Sequence, residues 1–399
     1  MSSQRLRWEI EVEQNLARLE QAHLYRQRRV CRPIDATCVE HDGRVLINFA
    51  SNNYLGLSHH PCVIDALRIA SERFGAGSGA APLVTGHSPE HEAAQQRIAQ
   101  WKKMQSAVLL PSGYQANHAA IQTAAAIGKL QGGVRFLFDK LAHASLIDAV
   151  RGTAEPYRIF PHNHMEKLSR LLADHPPKQL QVVVTESIFS MDGDAADLAA
   201  IATLKREREF LLVLDEAHAS GIYGSNGSGL ADEMGLSEIV DASVLTMSKA
   251  MGGIGGAVCG SELFCRALTN NARAYLFSTS VPPATASATI AAIDVIERDP
   301  QRRERLRAIA RHVRSAVKDF GFQIPEGDSP IIPVILGNER AALGAAQMLD
   351  AQGLLVVAIR PPTVARGTSR LRVTLSSEHT DQQIEELLQG LATIRSQAI

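Results

Sequence analysis

Residues 210–217 read FLLVLDEA, and HASG follows at 218–221. The run FLLVL has the length of one strand, and its lack of polar alternation is typical of a strand that is covered on both faces. Asp215 and Glu216 therefore stand at the end of a buried strand, where ligands bind in open parallel sheets. Two hypotheses fit Asp-Glu-Ala-His: the magnesium-holding strand end of a nucleic-acid helicase, or the cofactor-facing strand end of an unrelated enzyme.

The same pattern continues on both sides of this run. Short apolar runs alternate with segments of helical periodicity, for example 91–103 and 194–208. This alternation predicts an α/β fold with a mainly parallel sheet that helices cover on both faces. The predicted strands are 107–112, 134–139, 180–187, 210–217, 243–248 and 255–261.

The two ends of the chain differ from this central region. Between residues 6 and 24 leucine and isoleucine recur at helical spacing among charges, which predicts an amphipathic helix of about five turns. We expect an N-terminal helical segment over 1–45, a large cofactor-binding domain over 46–285 and a smaller α+β C-terminal domain over 286–399. The predicted C-terminal elements are a long helix over 284–320 and strands near 330–336, 354–359 and 370–375.

The composition narrows the class of protein. Apolar residues make up 45% of the 399 residues, with scattered glycine and proline, which is typical of a globular enzyme. Because 41 Lys and Arg face 42 Asp and Glu and no basic stripe is present, we expect no nucleic-acid partner. Five cysteines without C-x-x-C spacing predict reduced, buried thiols in a cytoplasmic protein. No apolar run approaches about 18 residues, so we expect no membrane span and no signal peptide.

The helicase hypothesis requires a second motif. A carboxylate that holds magnesium beside a nucleotide needs a phosphate-binding G-x-x-x-x-G-K-[ST] loop, and the nearest sequence, AAIGKLQGG, lacks the first glycine and the hydroxyl. A metal site is not supported either, because Asp215 and His218 have no companions at ligand spacing. We therefore expect no metal. The clustered histidines that remain, His59, His60, His162 and His164, are interpreted as turn residues.

Other predicted strand ends fit the second hypothesis. Lys249 directly follows SVLTMS, where its amine is either a surface charge or a Schiff-base nucleophile. Asp215 should be partly buried and in need of a cationic partner, which a protonated pyridine nitrogen would be. The helix that starts in SGYQANHAA predicts a phosphate site, and His143 could lie flat over a ring. Together these features describe pyridoxal 5′-phosphate (PLP), which needs a pyridinium partner to act as an electron sink.

Nearly the whole chain resembles the α-oxoamine synthase family of fold-type-I PLP enzymes. The resemblance implies an aspartate-aminotransferase-like transferase with a large, mainly parallel-sheet domain and a smaller domain. It also implies a homodimer with active sites at the subunit interface. The matching segments include NFASNNYLGLSHHP, LPSGYQANHA, LAHASLIDA, TESIFSMDGDAADL, VLDEAHASGIYGSNGSG, TMSKAMG and AIRPPTVARGTSRLRVTLSSEHT.

The resemblance also implies roles for individual residues. Lys249 would be the Schiff-base lysine, Asp215 the pyridinium partner and His218 the hydrogen-bond donor to the phenolic oxygen of the ring. His143 would stack on the ring, and the planar, charged fork of Arg360 would bind the substrate carboxylate. Gly113, Tyr114 and Thr246 would bind the phosphate, with Ser278 of the partner subunit and Thr279 of the partner subunit. Ser190 would contact the phenolic side of the ring, and Glu186 would lie beside the stacking histidine. Arg26 would lie near the substrates.

The chemistry implied by the resemblance is an acyltransferase reaction, the decarboxylative Claisen condensation of an amino acid with an acyl thioester. The segment AIRPPT at 358–363 favours L-alanine with pimeloyl-CoA or pimeloyl-carrier protein, a step of biotin synthesis. The alternatives are sister enzymes that join glycine to acetyl-CoA or succinyl-CoA, and a non-catalytic subunit that kept the fold. Departures from the common pattern at Ala80-Ala81-Pro82, Ser187 and Ala365 concern the substrate side and leave the cofactor residues intact.

Overall fold

The computed structural model describes residues 6–174 and 179–396, which form two compact units. One unit contains the described residues up to 51 and from 307 onward, and the other contains the described residues from 52 to 306. The predicted domain boundary at 285/286 lies inside a helix, Pro283–Arg298, and the division into domains at 45/46 and 285/286 stays a prediction.

Helices and strands are numbered in chain order. Helices α1 to α14 are Arg7–Gln21, Pro61–Phe74, Pro89–Lys102, Gly113–Leu130, Ala144–Gly152, Met165–Ala173, Leu198–Glu207, Leu230–Glu233, Glu262–Asn271, Arg273–Leu276, Pro283–Arg298, Pro300–Asp319, Glu339–Ala351 and Asp381–Ser396. Strands β1 to β14 are Arg32–Pro33, Cys38–His41, Arg44–Asn48, Ser106–Leu110, Val134–Asp139, Tyr157–Phe160, Leu180–Glu186, Leu211–Asp215, Ala242–Thr246, Gly256–Gly260, Ile331–Gly337, Leu354–Leu355, Val357–Ile359 and Ser369–Thr374.

The unit from 52 to 306 is built on a seven-stranded sheet with the order β4-β10-β9-β8-β7-β5-β6. Strand β10 pairs antiparallel with β4 and β9, and all other neighbouring pairs are parallel. This confirms the predicted α/β fold with a mainly parallel sheet. All six predicted strands form. The sequence missed β6, because this edge strand has a mixed burial pattern instead of an apolar run.

Helix α4 crosses the middle of this sheet and contacts β10, β9, β8, β7 and β5. Its inner face consists of small side chains, including the buried Ala116, Ala120 and Ala124, which pack with strand valines such as Val213 and Val244. Alanine leaves little side chain between helix and sheet, so the helix backbone lies close to the strands. The amino end of α4 consequently lies at the carboxyl ends of the parallel strands, next to Thr246 at the end of β9.

The other unit contains two small sheets, a three-stranded antiparallel sheet of order β11-β14-β13 and a sheet of order β1-β2-β3-β12. Strands β3 and β12 pair in parallel, so the N-terminal residues share a sheet with residues near 354. The smaller α+β domain with strands near 331, 354 and 370 is therefore present. Within the N-terminal segment predicted as helical, β1 and β2 are strands, because their hydrogen bonds come from pairing with neighbouring strands rather than from local periodicity.

Two helices differ from the prediction, each for a backbone reason. Helix α1 ends at Gln21 after about four turns, because His23 has a left-handed φ of 57° and the next two N–H groups both bond to Leu19 O. The long helix expected over 284–320 is interrupted at Asp299, since Pro300 disfavours helical geometry at the preceding residue. Among the described residues, no helix is long and apolar enough to cross a membrane.

All five cysteines are free thiols, as the sequence predicted. The expectation that all five are buried was wrong for three of them. Cys259 and Cys265 are buried, whereas Cys31 and Cys38 are partly exposed and Cys62 is exposed. These three lie in or near loops and short strands where the sequence carries no continuous apolar run.

Glu216 has a structural role that distinguishes it from Asp215. Its Oε2 lies 2.5 Å from Lys102 Nζ at the end of α3, and the two side chains are only 3% and 2% exposed. Glu216 also accepts hydrogen bonds from Ala231 N at 3.1 Å and from Ser243 Oγ at 3.2 Å. Lys102 donates a further hydrogen bond to the Ser228 carbonyl. The second acid of Asp-Glu-Ala-His therefore joins α3, the end of β8 and the loop before α8.

Replacing Lys102 by Met should destabilise this unit by about 3–5 kcal/mol, because a buried carboxylate loses its cationic partner. The control is Lys103→Met: Lys103 pairs with Asp232 but is 52% exposed, and its loss should cost less than about 1 kcal/mol. Urea unfolding followed by tryptophan fluorescence measures both changes, since the buried Trp101 adjoins both lysines. Equal losses for the two variants would contradict a structural role for the buried pair.

Candidate active site

The carboxyl ends of the neighbouring strands β5, β7, β8 and β9 meet at one edge of the large sheet. These strands end at Asp139, Glu186, Asp215 and Thr246. Glu186 and Asp215 are paired in the register of β7 with β8, so two buried carboxyl groups are neighbours. Lys249 follows three residues after the end of β9. The fold thus brings the predicted cofactor residues of this unit to a single edge.

Asp215 is 5% exposed and is held by two hydrogen bonds. Its Oδ1 accepts from Ala217 N at 2.9 Å, and its Oδ2 accepts from Asn117 Nδ2 at 2.7 Å. The same amide nitrogen lies 2.9 Å from Ser145 Oγ. These bonds orient a carboxylate that can bind a cationic group. Sequence reasoning missed Asn117, although its position four residues after Gly113 on the inner face of α4 was an available signal.

A chain of polar contacts connects Lys249 to the first loop of this unit. Lys249 Nζ lies 2.8 Å from His218 Nε2, and His218 Nδ1 lies 2.6 Å from the hydroxyl of Tyr54. Tyr54 is fully buried and its hydroxyl also lies 3.2 Å from Asn52 Oδ1. The Tyr54 hydroxyl donates its one proton to Asn52 Oδ1, so it accepts a hydrogen bond from Nδ1–H of His218, and Nε2 accepts from Lys249 Nζ. Donation from His218 toward a ligand requires its proton to be on Nε2 instead. Tyr54 was not identified from the sequence, because its partner is 164 residues away.

The first turn of α4 has the form of an anion site. Ser112 caps the helix by accepting a hydrogen bond from Gln115 N at 3.1 Å, and the helix starts at Gly113. A Cβ at Gly113 would lie 3.0 Å from the Cβ of Thr246, so only glycine allows the helix start to approach the end of β9 this closely. N–H groups at a helix start together with the helix dipole favour phosphate.

The other predicted phosphate residues lie around this helix start. Tyr114 is 48% exposed and its hydroxyl donates to Asp148 Oδ2 at 2.9 Å, which leaves its backbone to provide the contact. Ser278 Oγ accepts a hydrogen bond from Gln115 Nε2 at 2.9 Å within the same chain, and Thr279 is exposed. That the last two residues serve the phosphate of a partner subunit stays a prediction.

Glu186 connects the two loops that carry His143 and Ser190. Its carboxyl group accepts hydrogen bonds from the backbone N–H groups of both residues, while Oε1 is buried without a hydrogen-bond partner among the described residues. The ring of His143 is exposed in the chain alone, and its Nδ1 lies 2.7 Å from Ser145 Oγ. Desolvation by neighbouring protein atoms, together with the charge of Lys249, lowers the pKa of His143. An imidazole in this position is neutral at pH 7 and free to stack.

Arg26 and Arg360 belong to the other unit. Arg360 donates to the carbonyl of His23 and to Tyr25 O at 3.3 Å, and Arg26 donates to Pro361 O at 3.0 Å. Burial and the charge of Arg26 lower the pKa of Arg360. The structure therefore brings the two predicted substrate arginines together and ties each to the other's segment.

Comparison with known proteins identifies the family. The aminotransferase class I and II family matches residues 44–391. The chain belongs to this family. It is 38% identical over 388 residues to an 8-amino-7-oxononanoate synthase from Alkalilimnicola ehrlichii, covering 97% of this chain and 98% of the relative. It is 42% identical over 381 residues to an enzyme of the same name from Anaeromyxobacter dehalogenans, covering 95% and 94%.

A solved structure shows the same fold. Serine palmitoyltransferase from S. paucimobilis, determined with bound PLP–myriocin aldimine, superposes with a TM-score of 0.92. The two chains are 28% identical, and the match covers 99% of each. This structure and the family confirm the predicted fold-type-I PLP transferase.

The residues at the sheet edge of this family member fit PLP by their own chemistry. Asp215 offers a buried negative charge to a protonated ring nitrogen, and Lys249 offers an amine to an aldehyde. The start of α4 offers N–H groups to a phosphate, at a place where a glycine keeps the space open. Asp215 and His218 had also been considered as metal ligands. Within the described residues, no group of three or more His, Cys, Asp or Glu side chains could hold a metal ion.

The departures from the common family pattern are accommodated locally. Ser187 is fully buried, and both its N and its Oγ bond to Asp215 O, at 2.8 and 3.3 Å. Ala80 O accepts a hydrogen bond from Ser280 N at 3.1 Å and faces the tight turn Pro82–Gly86. A Cβ at Gly86 would lie 2.1 Å from Ala80 O, so this turn requires glycine. Ala365 accepts a hydrogen bond from Thr368 N.

The electrostatics of the two neighbouring carboxyl groups lead to a test. Burial and the Asp215 carboxylate raise the pKa of Glu186 well above its ordinary value, which favours its protonated form. The folded protein then binds a proton that the unfolded chain releases above pH of about 4.3. Stability from this group is greatest below that pH and falls as pH rises through the higher folded pKa.

Glu186→Gln should therefore change the free energy of unfolding little at pH 5 and raise it relative to wild type at pH 8. The gain should be about 1.4 kcal/mol for each unit by which the pKa of Glu186 is raised. The amide keeps an oxygen for the two backbone donors and carries no charge. Thermal unfolding of both proteins across this pH range gives the difference. Glu166→Gln, at an exposed position in α6, is the control and should show no such trend. A larger loss of stability at pH 8 than at pH 5 would mean that Glu186 is ionised in the folded protein.

Proposed function

We propose that this protein is a PLP-dependent acyltransferase that condenses L-alanine with pimeloyl-CoA, or with pimeloyl-carrier protein. The products are 8-amino-7-oxononanoate, CO2 and the free thiol. The proposal is carried by one observation: the amine of Lys249, next to His218, shares a sheet edge with the buried carboxylate of Asp215. This edge occurs in a chain that is 38–42% identical, over nearly its full length, to proteins named 8-amino-7-oxononanoate synthase.

The residues of the sheet edge would hold the cofactor as follows. Asp215 pairs with the protonated ring nitrogen, a role that its two hydrogen bonds prepare by fixing both oxygens. His218 donates to the phenolic oxygen together with Ser190, and His143 stacks on the ring. The phosphate binds at the start of α4 beside Thr246, through Gly113 and Tyr114. When bound, PLP supplies an electron sink for the negative charge that develops at Cα of the amino acid.

Lys249 is the base in this proposal. Its neutral amine removes the Cα proton of L-alanine, and Cα attacks the carbonyl carbon of the thioester. A carbon–carbon bond forms, the carbon–sulfur bond breaks, and the sulfur leaves as thiol after taking up a proton. The carboxylate then leaves as CO2, and a proton returns to Cα. The neutral imidazole of His143 can donate a hydrogen bond to the new ketone and so favour decarboxylation.

Arg360 is assigned to the substrate carboxylate, with Arg26 in support. A guanidinium binds a carboxylate through two parallel hydrogen bonds. The contacts of Arg360 with the carbonyl groups of His23 and Tyr25 already fix the direction of its side chain. An oriented arginine loses less conformational entropy when the substrate binds.

We further propose a cytoplasmic homodimer in which Ser278 of the partner subunit and Thr279 of the partner subunit complete each phosphate site. Large apolar side chains on the unit from 52 to 306 support association, because Leu83, Val84 and Phe277 are 60%, 74% and 72% exposed. The five free thiols agree with a reducing compartment.

Thiol release by the purified, PLP-loaded protein tests the function. L-alanine, glycine and L-serine are each paired with pimeloyl-, acetyl-, succinyl- and palmitoyl-CoA, and we expect release with L-alanine and pimeloyl-CoA. Lys249→Ala should lose this release together with the visible absorbance of the bound cofactor. The control is Lys140→Ala, because Lys140 is an exposed lysine directly after β5 at the same sheet edge. Preference for glycine or another acyl chain would assign a sister reaction, and no release with any pair would reject the proposal.

Arg360→Ala should raise the apparent KM for the amino acid by about ten- to hundredfold, since a charge-assisted hydrogen-bonded pair is lost. The rate at saturating amino acid should fall less, because the proton-transfer groups are unchanged. Initial rates over a range of amino-acid concentrations separate the two effects. Arg366→Ala removes an exposed arginine six residues away and is the control. An unchanged KM in the Arg360 variant would remove this residue from the substrate site.

A further inference from the structure

The turn between β6 and α6 contains a histidine held between two carboxylates. His162 Nδ1 lies 3.0 Å from Asp139 Oδ1, and Nε2 lies 2.7 Å from Asp194 Oδ2. The edge of its ring packs against Phe189, with a centroid distance of 4.4 Å and an interplanar angle of 88°. His162 lies in a turn, as predicted, but its ion pairs give it a further role that the sequence did not reveal.

The two carboxylates belong to the two loops that carry proposed cofactor contacts. Asp139 ends β5 and starts the loop 139–143, which contains His143. Asp194 lies in the loop 187–196, which contains Ser190 and is closed on itself by Ala196 N to Ser187 O at 3.0 Å. His162 therefore bridges both loops, which Glu186 also connects through the backbone N–H groups of His143 and Ser190.

The neighbouring residue Asn163 strengthens the same bridge. Its N–H donates to Asp139 Oδ2 at 2.9 Å, and its side-chain amide donates to Ala195 O at 2.9 Å. Its side-chain oxygen accepts from Asp197 N at 3.2 Å. Asn163 reaches these partners with a left-handed φ of 52°, a conformation that asparagine tolerates better than most residues. The turn at 162–163 thus makes four contacts to the two loops and a fifth to Asp197, directly after the second loop.

We propose that His162, held between Asp139 and Asp194, is a positioning residue that fixes the loops 139–143 and 187–196 in the arrangement that binds the cofactor. This inference rests on the proposed function, since it assumes that His143 and Ser190 contact PLP. His162 itself contacts neither the cofactor nor the substrates. It acts by restricting the conformations of the two loops before the cofactor binds, so that less conformational entropy is lost on binding.

We call the contacts of His162 with Asp139 and Asp194 the clasp, and its strength depends on pH through the protonation of His162. Partial burial opposes protonation, but the hydrogen bonds and charges of Asp139 and Asp194 outweigh it and raise the pKa of His162 to about 10. This pKa lies above the unfolded value of about 6.5. The contribution of the clasp is therefore complete below pH 6.5 and is lost as pH rises toward 10. The titratable groups that face the ring are Asp139 on β5 and Asp194 on the loop 187–196.

His162→Gln tests the clasp, with His164→Gln as the matched control. His164 is an exposed histidine next to the same turn, and its side chain accepts a hydrogen bond from Lys167 N in its own helix at 3.3 Å. At pH 7 the first variant should bind PLP about tenfold more weakly, as loss of a charge-assisted hydrogen bond predicts. The visible circular dichroism of the bound cofactor should also fall, because the ring is held less rigidly. The difference in PLP affinity between wild type and variant should stay constant while His162 is charged in the folded protein and shrink as pH approaches 10.

Amide hydrogen exchange of the cofactor-loaded and cofactor-free proteins locates the effect. In His162→Gln, exchange should be faster in residues 139–143 and 187–196 than in wild type, and His164→Gln should match wild type. Wild-type PLP affinity, dichroism and exchange in a folded His162→Gln protein would overturn the inference. If that variant does not fold, Asp194→Asn removes one charge and keeps the side-chain oxygen. It should lower the pKa of His162 in NMR titration and weaken PLP binding, and an unchanged affinity would overturn the inference.

The outcomes also separate this inference from the proposed function. If wild type binds PLP but releases no thiol with any substrate pair, the proposed reaction fails, while the comparison of PLP affinities still tests the clasp. If wild type does not bind PLP, exchange in the cofactor-free proteins still shows whether His162 fixes the two loops. Positioning for the cofactor would then be rejected together with the proposed cofactor contacts.

Discussion

The structure depends on one electrostatic constraint, the burial of two carboxyl groups on adjacent strand ends. Asp215 and Glu186 are register partners, and both are almost completely removed from water. Two negative charges in this position would repel each other strongly, so one group holds a proton. Asp215 receives an amide and an N–H donor, which stabilise a charge. Burial and the charge of Asp215 favour the protonated form of Glu186, whose carboxyl group holds the backbone of two loops. The sheet edge therefore carries one available negative charge, in a fixed place.

The sequence Asp-Glu-Ala-His combines a site and its support within four residues. Asp215 and His218 face the predicted cofactor residues, whereas Glu216 points away to its buried partner Lys102. Because Glu216 is also bonded to Ser243 and to Ala231 in α8, the segment that follows β8 cannot shift without breaking a buried ion pair. The buried Lys102 thus fixes the course of the backbone next to Asp215 through its ion pair with Glu216. A motif that superficially resembles a magnesium site is in fact half structural.

Local patterns predicted those parts of the molecule that local physics determines. Apolar runs located the six central strands, and polar residues directly after them located Lys249, Asp215 and His143. The edge strand β6 lacked such a run, and Pro300 divided a helix whose apolar periodicity was continuous. Asn117 and Tyr54 were missed because their partners are 98 and 164 residues away, and no spacing rule connects them. Long-range hydrogen bonds depend on the packed fold, so residues that act through them require a structure.

Structural constraint is distributed unevenly between the two sides of the site. The two loops that carry the proposed cofactor contacts are held both by Glu186 and by His162, so their positions are determined twice. On the side of Ala80 and Pro82, a short turn is held by backbone hydrogen bonds to the carbonyl groups of Ala80 and Ala81, and it exposes Leu83 and Val84. Side chains at such a turn can change without disturbing a buried charge or a helix start. A fold of this kind can keep one set of cofactor contacts while the residues that meet the acyl chain vary, which is consistent with the departures from the family pattern in that turn.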